Sequence, residues 1–217
     1  MLREKLRARW FWLARWICRV FCILFFRVRT YGRENIPRKG AFIIVSNHQS
    51  YLDPIFCGGL IKRHSSFIAR ASLFSNWFFG PLIASVNAIP VKLGEPDIWA
   101  MRKVIDKLKK GGGVTLFPEG TRTFDGKITP FKPGLGLLSR RGQAPIVPVV
   151  IDGAFECWPR HKKLFSPGQI HVTYGKPITV EQVKDMGDKK LAELLTETLR
   201  KMQNQSRKKQ SKKPYDY

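Results

Sequence analysis

The chain has 217 residues, 43% of them hydrophobic and 25% charged. This composition supplies one folded domain with a sizeable core and excludes wholesale disorder or a collagen-like repeat. The outlying property is charge: 39 Lys and Arg against 16 Asp and Glu give a net +23, which points to anionic partners such as a nucleic acid, an acidic membrane or a phosphorylated substrate. The ends are the most basic, with eight basic residues against one acidic in positions 1–30 and seven against one in 200–217. Cys18, Cys22, Cys57 and Cys157 form no CxxC pair, so neither a disulfide framework nor a zinc site is expected, and a reducing compartment is the default.

Residues 10–28 read WFWLARWICRVFCILFFRV, apolar apart from three arginines. No small-residue cleavage site follows, so a removable signal is not indicated. The longest charge-free run, Val20 to Phe26, is seven residues, whereas a spanning helix needs about 20 predominantly apolar ones. Each central arginine also costs about 2.5–3.5 kcal/mol on insertion. At about 100° per residue Arg7, Arg15 and Arg19 share one arc, and Trp10, Trp12 and Trp16 suit a membrane interface. Residues 1–29 are therefore read as an amphipathic helix lying in one leaflet, its arginines among lipid phosphates. A single span is the alternative.

Along the body, Ala41 to Val45 is a short apolar, β-branched run of the kind buried on both faces of a sheet. The polar stretch Ser46 to Asp53 follows, and Pro54 opens a helix with Asp53 as its N-cap. Ser66–Ala71 and Ala88–Leu93 read as strands, with the aromatic-rich run Leu73–Val86 between them. Glu95 to Lys110 is the clearest helix: Ile98, Met101, Ile105 and Leu108 follow helical spacing, acids begin it and lysines end it. Gly111 to Gly113 stops it; no GK[ST] follows, so a phosphate loop is not indicated. Val114–Phe117 and Pro145–Ile151 are further strands, and Gln169–Tyr174 alternates in the manner of an edge strand. A last helix is marked by Leu191, Leu194, Leu195 and Leu199, and the tail beyond Met202 is expected to be disordered. The fold class is α/β, a single domain over 30–202 with a largely parallel sheet flanked by helices. The membrane-associated helix 1–29 precedes it and a basic tail, 203–217, follows.

Ligands of a parallel sheet bind beyond the carboxyl ends of its strands. Two polar clusters leave strands there, Ser46–Asp53 and Phe117–Thr123. His48 near neutral pH can take a proton from an alcohol, and Asp53 can fix its tautomer. No GxSxG serine is present, so the hydroxyl would come from the substrate. On the residues alone, His48 as a loop histidine and Asp53 as a helix cap remains open. In the second cluster Arg122 offers a planar fork for a phosphate, and Glu119 can accept from a substrate hydroxyl or hold the arginine; a structural Glu–Arg pair is the other possibility. Lys92 adds positive charge after the Ala88–Val91 strand.

These segments together resemble the glycerolipid acyltransferase family, typified by 1-acylglycerol-3-phosphate acyltransferases. NHQSYLD at 47–53 is similar to the family's NHxxxxD block, NAIPVKL at 87–93 to its second block, FPEGTRT at 117–123 to its third, and PIVPVVI at 145–151, with Pro148 in place, to its fourth. The resemblance implies transfer of a fatty acyl group from acyl-CoA or acyl carrier protein to the free hydroxyl of lysophosphatidic acid. It implies His48 as base and Asp53 as its orienting partner. Lys92, Glu119, Gly120, Thr121 and Arg122 would hold the acceptor, with backbone N–H groups near Gly120 facing the oxyanion. It implies no acyl-enzyme, metal or cofactor beyond the thioester. The expected partners are an acidic phospholipid membrane, lysophosphatidic acid and the acyl donor, with no nucleic acid, at the cytoplasmic face of a membrane. An acyltransferase for another lysolipid or for glycerol 3-phosphate is one rival. A non-catalytic basic binding protein is the other; it explains the basic ends but not the two polar clusters at strand ends, and no nucleic-acid-binding motif accompanies it.

Overall fold

The computed structural model describes residues 13, 16, 17, 19–75, 77, 83, 88–91 and 97–217. Seven strands form one sheet: β1 (Arg29–Tyr31), β2 (Phe42–Ser46), β3 (Ser65–Arg70), β4 (Ile89–Val91), β5 (Gly113–Leu116), β6 (Ile146–Asp152) and β7 (His171–Tyr174), in the order β1-β7-β6-β2-β5-β3-β4. Every pairing is parallel except β6 with β7. The expected largely parallel sheet is therefore present. β7 is not an edge strand, however, because the short β1 covers it. Its alternation has another source: His171, Val172 and Tyr174 are buried while Thr173 is only half-buried.

The central strands β2 and β6 are buried along their whole length. Side chains alternate across a pleated strand, and this sorts them into two cores. Ile43, Val45, Ile146 and Val150 pack on one face with Val104, Leu108, Leu138, Leu195 and Leu199. Phe42, Ile44, Val147, Val149 and Ile151 pack on the other with Phe26, Phe56 and Tyr174. The Ile98–Lys109 helix buries Ala100, Val104 and Leu108, and Asp97 caps it by accepting from the Ala100 N–H. It is shorter at its start than the periodicity indicated, and Gly113 belongs to β5 rather than to the stop signal.

The last helix runs from Asp188 to Lys209 and buries Gln203 and Ser206. The expectation of disorder beyond Met202 is thus corrected. Asn204 exchanges hydrogen bonds with the Tyr215 backbone, 2.9 and 2.8 Å, and Tyr217 Oη accepts from the Ile128 N–H at 3.1 Å and bonds Gln203. Low apolar content signalled disorder there; the tail is instead held by aromatic rings and polar side chains.

Of the amino-terminal segment, residues 13, 16, 17 and 19–26 are helical. Cys22 and Phe26 are buried against the body, while Trp16, Ile17, Ile23 and Leu24 are exposed. Arg19 was expected among lipid phosphates; it turns inward and donates to the Leu60 carbonyl at 3.1 Å. Arg7 and Arg15 lie outside the described residues, as do Trp10 and Trp12. Among the described residues no helix is long and apolar enough to cross a membrane.

Candidate active site

The first polar cluster leaves the end of β2 and is pinned on both sides. Asn47 bonds both the N–H and the C=O of Ile151 at 2.8 Å. Gln49 donates to the Gly126 carbonyl at 3.1 Å and accepts from the Phe155 N–H at 3.2 Å. Within this frame His48 Nδ1 lies 2.7 Å from Asp53 Oδ2. The same carboxylate oxygen accepts the N–H groups of Gln49 and Ser50 at 2.6 and 2.7 Å. Asp53 is therefore not the cap of the following helix: its backbone is already helical and its carboxylate faces back into the loop. The Asp53 side chain is fully buried while that of His48 is 21% exposed. The imidazole stacks on Phe117 with centroids 4.4 Å apart. With Nδ1 occupied, Nε2 is the nitrogen left to exchange a proton with a ligand.

The second cluster leaves the adjacent end of β5 and is stitched to the first. The His48 N–H donates to Glu119 Oε1 at 2.7 Å, and the Thr123 N–H donates to the His48 carbonyl at 2.8 Å. Glu119 Oε2 accepts from the Thr129 N–H and hydroxyl at 3.1 and 3.0 Å. Burial pushes the Glu119 carboxyl above its usual range, against the pull of these hydrogen bonds. Glu119 was expected to accept from a substrate hydroxyl or to hold Arg122. Both its oxygens are instead engaged by the protein, and no ion pair joins it to Arg122 among the described residues. It fastens the two loops together. Gly120 adopts φ +73°, and its N–H closes a turn to the Phe117 carbonyl at 3.0 Å, so that donor is not free for an oxyanion.

Arg122 lies flat on Tyr51, its Cζ 3.5 Å from the ring centroid. Its Nη1 is buried without a hydrogen-bond partner. Tyr51 belongs to the HQSYLD segment, and the Thr123 N–H bonds the His48 carbonyl, so the stretches that carry His48 and Arg122 are neighbours. Thr121 is exposed at the rim. Lys92 lies outside the described residues. Tyr51, Phe117, Thr129 and Arg160 join the site without having been singled out in the sequence. Arg160 Nη1 sits 3.4 Å from both Thr121 Oγ1 and the Arg122 carbonyl, and its guanidinium stacks over Phe124 at 4.0 Å. Nothing in the run WPRHKK marks that arginine; only the fold brings it back across 38 positions.

Cys57 and Cys157 are not nucleophile candidates. Burial drives the Cys57 thiol far above its usual range, the nearby Asp53 charge adding to it, and Cys157 is pushed up to about 11, mainly by burial. A reactive cysteine needs the opposite shift.

Comparison with known proteins places this arrangement. Residues 27–152 match the model of the family described as Acyltransferase, a span containing β1 to β6 and both polar clusters. The chain belongs to the acyltransferase family. It is 30% identical over 173 residues to the 1-acyl-sn-glycerol-3-phosphate acyltransferase of Bacillus subtilis, covering 79% of this chain and 84% of that one. It is also 30% identical over 158 residues to the chloroplastic BAT2 enzyme of the same name from Brassica napus, covering 71% of this chain and 46% of that one. The chain thus spans most of the bacterial relative and about half of the plant one. Among solved structures, the 1-acyl-sn-glycerophosphate (LPA) acyltransferase PlsC from Thermotoga maritima superposes with a TM-score of 0.81 at 29% identity, covering 94% of this chain and 83% of that one. In this acyltransferase the family match ends at Asp152, and Arg160 comes from beyond it.

Proposed function

We propose that the chain transfers a fatty acyl group from a thioester donor to the sn-2 hydroxyl of 1-acyl-sn-glycerol 3-phosphate, giving phosphatidic acid. One observation carries the reading: a partly exposed imidazole held by a buried carboxylate sits on a loop hydrogen-bonded to the one that carries Arg122, whose guanidinium has no carboxylate partner among the described residues. The first serves a hydroxyl, the second a phosphate, and a lysophosphatidic acid carries both. The relatives' names agree.

In this mechanism His48 Nε2 takes the hydroxyl proton as the oxygen attacks the thioester carbonyl carbon. Asp53 Oδ2 holds the Nδ1–H, fixing the tautomer and stabilising the imidazolium. When the tetrahedral intermediate collapses, the C–S bond breaks and the proton on Nε2 goes to the departing sulfur. Arg122, positioned by Tyr51, binds the phosphate and sets the hydroxyl against His48. Thr121 is exposed beside Arg122, and Lys92 is proposed as a further positive charge for the acceptor. The donor is acyl-CoA or acyl carrier protein, no other cofactor takes part, and the reaction runs at the cytoplasmic face of a membrane, on which residues 1–29 dock.

The test is a rate assay with labelled acyl-CoA, repeated with acyl carrier protein, over a panel of lysolipid acceptors and glycerol 3-phosphate. Transfer is expected on 1-acylglycerol 3-phosphate above the others. His48→Ala should lower it by roughly 100- to 10,000-fold with the fold retained by circular dichroism. A His48→Ala protein turning over normally would remove the imidazole from the mechanism.

A further inference from the structure

A phosphate monoester carries about −1.5 to −2 charges at neutral pH, and its second pKa is about 6. A phosphodiester carries one. A single guanidinium is matched to the diester charge; the dianion calls for a second cation at the same place. The fold supplies one. Arg160 reaches the Thr121 hydroxyl and the Arg122 carbonyl from a segment outside the family match, and its guanidinium lies over Phe124. Both of its contacts are long and both use Nη1, whereas a guanidinium has five N–H donors, so Nε and Nη2 remain for a ligand. Neither Arg122 nor Arg160 forms an ion pair among the described residues. Buried donors without acceptors are costly, and the unmatched Nη1 of Arg122 marks where an anion relieves that cost. On the other flank the Lys132 ammonium stands over Gly120, 3.3 Å from where a Cβ would lie.

We propose that Arg160 is a specificity-determining residue: with Arg122 it forms a two-guanidinium cradle that selects a dianionic phosphomonoester acceptor over a monoanionic one. This rests on the acceptor reading above. Arg122 supplies the buried donor, Arg160 the second charge, and Lys132 closes the rim.

The experiment compares wild type with Arg160→Ala, measuring KM for 1-acylglycerol 3-phosphate at about pH 7.5 and pH 5.5. The readout is the variant-to-wild-type ratio, which cancels pH effects common to both proteins. At the higher pH the ratio should be about tenfold, with KM for the acyl donor unmoved. At the lower pH, where the phosphate approaches one charge, it should fall to about threefold or less. Arg160→Lys, which keeps the charge without the fork, should give an intermediate ratio. If Arg160→Ala loses its fold, Arg160→Gln is read in its place with the same expectation. A ratio that does not change with pH, or one near unity at both values, would overturn selection of the dianion. Wild type failing to acylate any phosphomonoester would instead sink the underlying acceptor reading.

Discussion

Glu119 shows how one buried carboxylate can determine where the imidazole proposed as the base stands. Its two oxygens receive the His48 N–H on one side and two Thr129 donors on the other. Replacing it with alanine removes the acceptor of three donors, the half-buried His48 N–H and the N–H and hydroxyl of the exposed Thr129. An unmet buried donor costs about 1–3 kcal/mol, and the Thr129 donors can turn to water, so Glu119→Ala should lose about 1–3 kcal/mol of unfolding free energy in urea and most of its turnover, because the His48 backbone is no longer anchored. Glu119→Gln should fall between, since its amide keeps one acceptor but turns an NH2 toward one set of donors. An unchanged urea midpoint for the alanine variant would show that the fastening is weak. His48 and Asp53 were legible in the sequence because both lie in one seven-residue segment between a strand and a proline. The role of Glu119 was not, since its partners are a backbone amide 71 residues earlier and a threonine ten residues later. A carboxylate beside an arginine in sequence reads as its partner; here chain geometry turns the two apart.

The Asp188–Lys209 helix and the tail after it bring the same reasoning to whole elements. Asp152, at the end of β6, is fully buried, with Arg207 Nη1 at 3.3 Å and Gln210 Nε2 at 2.6 Å. Arg207 also pairs Glu156 at 3.1 Å and stacks on Tyr215 at 4.0 Å. Burial raises the Asp152 carboxyl above its ordinary value despite the cations Lys212 and Arg207. A raised carboxyl stays protonated in the folded chain after the unfolded chain has ionised. Its contribution is therefore greatest below the unfolded value near 3.8 and is lost as pH rises toward the folded one. Removing Arg207 raises the carboxyl further and widens that window. Arg207→Ala should thus cost up to about 3–5 kcal/mol at neutral pH, the penalty for removing one partner of a buried ion pair, and markedly less near pH 4. Denaturant unfolding at both pH values checks this, and a pH-independent loss would contradict it. The strands were largely readable because apolar runs and glycines punctuate them. The ordered tail was not, because its anchors, Gln203, Asn204, Arg207, Tyr215 and Tyr217, carry no apolar periodicity. The alternation of β7 misled for a related reason: a half-buried face reads the same whether a three-residue strand covers the outer side or not.

At the scale of the whole molecule, the exposed apolar residues of the amino-terminal helix connect with the site. Trp16 and Ile23, and Ile17 and Leu24, are each seven positions apart and so lie on similar helix azimuths, and all four are exposed, Leu24 at 71%. From the same helix Phe21, Phe25 and Phe26 contact Phe165 at ring distances of 5.4–5.6 Å. Phe165 then meets Trp158 at 5.9 Å, and Trp158 meets Tyr51 at 5.2 Å, the ring that carries Arg122. An aromatic path therefore leads from the exposed helix to the proposed phosphate site. A lysolipid entering from a leaflet would keep its chain among apolar rings until its headgroup met the guanidiniums. With Arg19 turned inward, the docking proposed for this face would draw on apolar burial, each fully buried aliphatic side chain giving about 1.5–3 kcal/mol. Ile23→Glu with Leu24→Glu should accordingly reduce flotation with anionic vesicles about tenfold or more, while activity on a short-chain, water-soluble acceptor stays near wild type because no residue of the His48 or Arg122 loops changes. Raised salt should weaken the remaining binding only in part, since screening acts on the basic residues and not on the apolar face. If the double variant floated as well as wild type, the docking surface would have to lie on another part of this basic chain.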